Sequence, residues 1–217
     1  MRQDVIAAIR QAAVEEGIDP NYALAVAQRE SDFDPNAHAS KTIHGIYQMT
    51  GELRHKWGAG DSGDPYVQAK SWMRYMKGEV APAMGNVLGR NPTYAEAYLG
   101  HHFGPGRAAR MVSGAYDPST PVDEIFTPYE RSLNPHFDRA GTSGNLTASI
   151  TNDIRRRTAK FAGTDYDDND MQTAALDFSR YGTPIDASGG GGGSGIDLSR
   201  FGTPVDLGQG EQPAAAT

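Results

Sequence analysis

Apolar side chains return every three or four positions at Val5, Ile6, Ile9, Ala13 and Val14, which is a helical period. Gly17 offers a left-handed stop just beyond them. Asp19-Pro20 reads as an N-cap followed by proline at the first helical position. It opens a second helix from Tyr22 to about Ser31, with Ala23, Val26, Ala27 and Glu30 on one face. The same capping grammar recurs at Asp64-Pro65, Asn91-Pro92 and Thr120-Pro121. Helical patterns follow each: Val67 to Met84 (interrupted near Pro82), Thr93 to His102, and Val122 to Phe126. Gly104-Pro105-Gly106 breaks the chain before a short helix from Arg107 to Val112, and a further helix is expected from Ile150 to Phe161, either docked on the domain or free of it. No stretch alternates strictly enough to predict a strand. The expected fold class is mainly α, with loops rich in Gly and Pro.

Charge changes the picture mainly through its distribution. The 217 residues carry 20 basic and 27 acidic side chains, a net of −7. Residues 1–163 are balanced at 18 of each sign, so the whole excess lies in 164–217. This argues against a basic nucleic-acid binder. The last quarter combines like charge with Gly189 to Gly193, Ser194, Gly195 and few apolar residues, a composition expected to stay disordered. The expected organisation is a packed domain over 1–140, a linker with a short basic helix over 141–163, and an acidic Gly-rich tail over 164–217. Without cysteine there is no disulfide framework, thiol nucleophile or sulfur-ligated metal site. No apolar run approaches a membrane span of about 18 residues. The first residues carry charges throughout and do not read as a secretory signal.

Glu30 is the most informative residue. It lies four positions after Val26, on the apolar stripe, and in the last helical turn. Burial removes its hydration and the helix C-terminus adds partial negative charge, and both disfavour the ionised form. A carboxylic acid kept protonated in this way can act as a general acid. A rim glutamate paired with Arg29 or Lys41 is the alternative on position alone.

The residues after Glu30 sharpen this reading. Glu30-Ser31-Asp32-Phe33-Asp34-Pro35-Asn36-Ala37-His38-Ala39-Ser40, then Gly45-Ile46-Tyr47-Gln48-Met49-Thr50, resembles the active-site signature of soluble lytic transglycosylases. That family has a goose-lysozyme-like helical fold and cleaves the peptidoglycan glycan strand. Ala97-Tyr98-Leu99-Gly100-His101-His102-Phe103-Gly104-Pro105-Gly106-Arg107-Ala108-Ala109-Arg110 resembles the tyrosine-bearing helix of a phage-associated branch. Asn134-Pro135-His136-Phe137 is similar to the piece that closes that branch's domain. The resemblance covers roughly residues 1–140. It implies that Glu30 is the single catalytic acid/base and that Gln48 hydrogen-bonds near the scissile linkage. It further implies that Ser40 lies near the N-acetyl group of the muramic sugar and that Tyr98 lines the cleft. Met49 falls one position from the family's cleft methionine. Two departures bear on substrate positioning: Leu99 stands where the family has Asn, and Tyr47 where it has an aliphatic residue.

Hydrolysis by the common routes needs two carboxyl groups, about 5 Å apart for retention and about 6.5–9.5 Å for inversion. Asp32 and Asp34 are the nearest candidates, and a solvated turn is the expected place for both. The resemblance implies a route with one carboxyl group, in which Glu30 protonates the glycosidic oxygen and then takes the proton of the muramic C6 hydroxyl. A 1,6-anhydro end results. A goose-type lysozyme and a glycan-binding structural protein of the virion remain the alternatives, and Leu99 is the feature that favours the last.

Other residues point to less. The six histidines form no HExxH and no helical i, i+4 pair, and neither a metal nor a cofactor is expected. Trp57, Trp72 and Tyr75 could stack on sugars, with core packing the default. Arg155, Arg156 and Arg157 read as a solvated helix face. In the tail, residues 176–186 recur as 196–206 with seven of eleven positions identical. The nine residues between them span roughly 15–18 Å as a flexible coil. The duplicate reads as two copies of a docking motif for a symmetric partner. With the phage-like branch, the expectation is a virion protein that acts in the host periplasm, its partners being glycan strands and a component of the ejection apparatus.

Overall fold

The computed structural model describes residues 2–163. The tail, its duplicated motif and its expected disorder lie outside the described residues. Two long helices open the chain, α1 (Arg2–Glu16) and α2 (Pro20–Ser31). Gly17 adopts the left-handed conformation between them, and the Asp19 side chain accepts from Asn21 N as the expected cap of α2. A loop then forms a hairpin from β1 (Ile43–His44) and β2 (Met49–Thr50). Two residues per strand are too few to leave an alternating pattern, so sequence periodicity could not reveal it. There follow α3 (Gly51–Trp57), α4 (Pro65–Tyr75), a π-helical turn over Met76–Val80, and α5 (Ala81–Leu88). The interruption expected near Pro82 takes the form of that wider turn. Proline lacks an N–H and collides with the carbonyl four residues back, and an i→i+5 turn ahead of it relieves both.

Next come α6 (Tyr94–Phe103) and α7 (Pro105–Val112), joined at Gly104 (φ +82°). The chain continues through α8 (Val122–Ile125), α9 (Pro128–Leu133), α10 (His136–Ala140) and α11 (Ser143–Ala162). Two expected caps are corrected. Thr93, not Asn91, caps α6, because Thr93 and Glu96 satisfy each other's backbone N–H in a capping box. Thr120 caps nothing; Pro121 instead bridges Thr142, and Val122 N donates to Gly141 O at 3.1 Å.

The core sits around α2. Tyr22, Ala23, Leu24, Ala25, Val26 and Ala27 are all fully buried, as a helix that is apolar all round must be. It lies between α1 on one side and α11 on the other. Residues 143–162 therefore differ from the expected linker. They form a twenty-residue helix whose Leu146, Ile150 and Ile154 belong to the core cluster, so the packed body runs past position 140. The signal was present but short of its full length, since the helix capped by Thr142 begins seven residues before the expected start.

Because Leu146 is fully buried between these helices, Leu146→Ala is expected to lower stability by about 2–5 kcal/mol. Urea unfolding of the full chain measures this. An unchanged midpoint would mean that α11 lies outside the cooperative core.

Candidate active site

Glu30 occupies the last turn of α2, and the way this helix ends decides where the side chain goes. Asp32 and Phe33 both take positive φ (50° and 70°), which is unusual for two successive non-glycine residues. Their N–H groups return to Gln28 O (3.1 Å) and Ala27 O (3.4 Å) and close the helix. Phe33 drops into the core edge-on to Phe161 of α11 at 6.0 Å. Asp32 turns outward to a bidentate pair with Arg2, at 2.8 and 3.0 Å. Asp34 accepts from Asn36 N at 2.9 Å in an exposed turn. Both aspartates are thus engaged away from Glu30, in the turn positions expected of them.

Glu30 is half-buried, and its partner is Tyr98 on α6, not Arg29 or Lys41. The Tyr98 hydroxyl donates to Glu30 Oε1, and Arg29 Nε donates to the Tyr98 oxygen at 2.8 Å. Burial, reinforced by the Glu30 carboxylate, raises the Tyr98 phenol well above its ordinary range, so it stays a protonated donor. The donor order is therefore fixed, from Arg29 through Tyr98 to Glu30. Glu30 Oε2 makes no hydrogen bond among the described residues, and that oxygen can carry a proton for a ligand.

The loop from 34 to 50 forms the second wall. Gln48 (φ +47°) uses its whole amide within this loop. Its Oε1 accepts from Ala39 N at 3.0 Å, and its Nε2 donates to Gly45 O at 2.7 Å and Ala37 O at 3.2 Å. Ser40 sits at the exposed tip, where its Oγ accepts from Thr42 N and Ile43 N. Met49 is buried with Tyr47, Arg54 and Gln68 around a small hollow behind the hairpin. The structure thus joins Glu30 directly to Tyr98, and the hydrogen bonds of Gln48 and Ser40 stay within the neighbouring loop that also carries Met49. Tyr47 and Leu99, the two departures from the expected pattern, are core residues. Tyr47 stacks on Trp72 at 4.1 Å and donates to Ala23 O, and Leu99 is fully buried. Trp72 and Tyr75 are likewise core, not exposed platforms.

Three fastenings that the sequence did not reveal hold this wall against α2, α4 and α6. Ser31 Oγ donates to Ile46 O at 2.9 Å. Buried Gln68 accepts from Ile46 N (2.9 Å) and donates to Pro35 O (3.0 Å) and Ser62 O (2.9 Å). His101 Nε2 donates to Tyr47 O at 3.0 Å, fixing the peptide just before Gln48. Gly45 has φ +81°, and a Cβ there would lie 2.4 Å from Gln68 Oε1, so the close approach requires glycine. Among the described residues no cluster of three or more His, Asp or Glu could hold a metal, and no helix is long and apolar enough to cross a membrane.

Residues 7–60 match the family model described as the Transglycosylase SLT domain. No curated protein matches the chain. The matched stretch contains Glu30, Ser40, Gln48 and Met49 and ends before Tyr98. It supports lytic transglycosylase activity with peptidoglycan as substrate, and the mainly helical body is consistent with the lysozyme-like fold implied by that domain.

Behind Tyr98, the His102 ring stacks on the phenol at 5.7 Å and on His136 at 5.9 Å. Burial, helped by the Arg29 charge, pushes the His102 imidazole down to about 3. Burial also lowers His101, against the opposing pull of Glu30, and lowers His136. In the unfolded chain such imidazoles take up a proton near about pH 6.5. Between there and the folded values the unfolded state holds more protons, so stability falls as the pH drops. The melting temperature is expected to decline from about pH 7 to about pH 4, and less steeply in His102→Phe, which keeps the stack without the titrating group. Identical slopes in the two proteins would contradict this.

Proposed function

We propose that the protein is a peptidoglycan lytic transglycosylase that cleaves the β-1,4 bond between N-acetylmuramic acid and N-acetylglucosamine and leaves a 1,6-anhydro end. The observation that carries the reading is a lone carboxyl group held by a neutral phenol. Oε1 of Glu30 is engaged by Tyr98, and both nearby aspartates are tied elsewhere. Protonated on Oε2, Glu30 gives its proton to the glycosidic oxygen as the bond to muramic C1 breaks. The C6 hydroxyl of the same sugar then forms the new bond to C1, and its proton returns to Glu30. No water is consumed, and the acid is restored after each cut. The sugar's own N-acetyl group can stabilise the positive charge at C1 in between, so the protein needs no second carboxylate within reach. Tyr98, itself held by Arg29, keeps a donor on Oε1 throughout, which leaves the exchanging proton to Oε2.

The surrounding residues fit roles of support more than direct contact. Gln48, with its amide engaged by Ala39, Gly45 and Ala37, shapes the loop on which Ser40 reaches solvent. On this reading Ser40, exposed on that loop, meets the N-acetyl group of the muramic sugar.

The Ala97-to-Arg110 block and the Asn134-Pro135-His136-Phe137 piece support a finer reading, a virion-borne enzyme that opens the wall locally as the phage genome enters. On this reading the duplicated segments 176–186 and 196–206 dock the chain to the particle, and cleavage takes place in the host periplasm.

Glu30→Gln is expected to lose clearing on murein zymograms, by at least about a thousandfold in rate, while folding as the wild type does. The wild-type products should carry anhydromuramic ends by mass spectrometry; products heavier by one water per cut would identify a goose-type lysozyme instead. Clearing by neither protein would favour a glycan-binding structural role. Deleting residues 176–206 is expected to abolish co-assembly with the particle and to spare murein cleavage, and unchanged co-assembly would refute the docking role.

A further inference from the structure

The contact between Tyr98 and Glu30 is not self-supporting. Arg29 reaches the phenol only through Nε, and the rest of its guanidinium is held by Asp153 of α11, which accepts from Arg29 Nη1. The two side chains are largely buried, at 20% and 17% exposure, so this ion pair is shielded from the solvent that weakens surface pairs. Asp153 is itself fixed by its own helix. Arg157 Nε donates to the same carboxyl oxygen at 3.0 Å, and Arg156 donates to the other oxygen at 3.2 Å. Arg157 also reaches across to Gln28 Oε1 on α2 at 3.1 Å. Burial opposes ionisation of Asp153, but the Arg157 and Arg29 partners outweigh it and hold the carboxyl below its usual range. It therefore remains an anion at neutral pH.

We infer that Asp153 is a positioning residue for the proton donor: through Arg29 and Tyr98 it fixes the rotamer of Glu30 from a helix 124 residues further along the chain. A guanidinium is planar, so fastening one N–H sets the direction of the others. With Asp153 in place, Arg29 Nε must point at the phenol oxygen, and the phenol proton has one remaining direction, toward Glu30. The cationic carbon also lies over the Tyr98 ring at 5.4 Å, which leaves the arginine little freedom to swing away while its far end is held. Other titratable groups nearby do not substitute for Asp153. Tyr22, His101, His102 and His136 are all held neutral by burial, and Arg157 has the same sign as Arg29. The inference rests on the reading of Glu30 as the acid, and it extends the working site beyond the matched residues 7–60 into α11.

A double-mutant cycle on purified murein tests it, with Glu30→Gln measured alongside. Wild-type cleavage with an inactive Glu30→Gln upholds the reading of the acid, whatever Asp153 does. Asp153→Asn is expected to lower kcat about tenfold with KM within about twofold, since it loosens an acid and removes no substrate contact. Asp153→Glu should recover part of that loss. Tyr98→Phe should cost a similar factor, and Tyr98→Phe with Asp153→Asn should be no worse than Tyr98→Phe alone, because the two act through one hydroxyl. Leu146→Ala weakens the same helix without touching its charge, and it should leave kcat per folded molecule unchanged. If Asp153→Asn proves unfolded, Arg29→Lys takes its place in the cycle, as it keeps the charge and loses the fork. A fully multiplicative double mutant, a Tyr98→Phe protein with wild-type kcat, or a Leu146→Ala protein as slow as Asp153→Asn would each overturn the inference.

Discussion

The end of α2 is the constraint on which the rest of the molecule turns. A helix leaves its last carbonyls without internal donors, and something must supply them. Here Asp32 and Phe33 do so from left-handed backbone, and Ser31 adds a side-chain bond to Ala27 O and another to Ile46 O. The result is a helix that stops within two residues of Glu30 and sends the following side chain into the core. A helix one turn longer would carry the chain away from α6. With the stop where it is, the carboxyl group meets a phenol of α6, and the neighbouring Ser31 ties the 34–50 loop to the helix end.

The packing that fixes this stop comes from both ends of the described chain. Arg2 holds Asp32 and lies over the Phe33 ring at 5.0 Å, and Phe161 meets Phe33 from α11. The matched segment therefore depends on partners outside it. The last turn of α2 is gripped by the first and last described helices, and the Glu30 carboxyl group by a tyrosine from the middle. None of these is a large contact, and each is directional. They select one arrangement of an end that backbone hydrogen bonding alone would leave to fray.

Periodicity and capping residues were enough to show the mainly helical class and the positions of α1, α2, α6 and α7, because those signals are local. Glu30 was legible for the same reason, a carboxylate on an apolar stripe at a helix end. Tyr98 was legible only through the resemblance of its block. Arg29 and Asp153 were not legible as a pair, since nothing near Asp153 in the sequence refers to a residue 124 positions earlier. Asp153 looks like any acidic residue ahead of three arginines. Gln48 was identified, but its bonds were not, as they depend on where the backbone of Ala37, Ala39 and Gly45 comes to lie. The cap misread at Asn91 shows local signals in competition. Two valid caps stood within three residues, and the one with a reciprocal glutamate prevailed.

The wide turn over Met76–Val80 joins α4 to α5 through continuous helical backbone, and it contains one more residue than an ordinary turn would. One residue of helix is a rotation of about 100°. The extra residue therefore acts as a phase shifter between α4, which packs on α1, and α5, which packs on α7. Gly78 lies within this turn, where a Cβ would stand 2.3 Å from the Trp57 ring, so the indole is seated on bare backbone. Loss of a single residue here would leave the helices intact and aim every later one at the wrong neighbour, which makes the segment intolerant of shortening although it lies far from the acid in sequence.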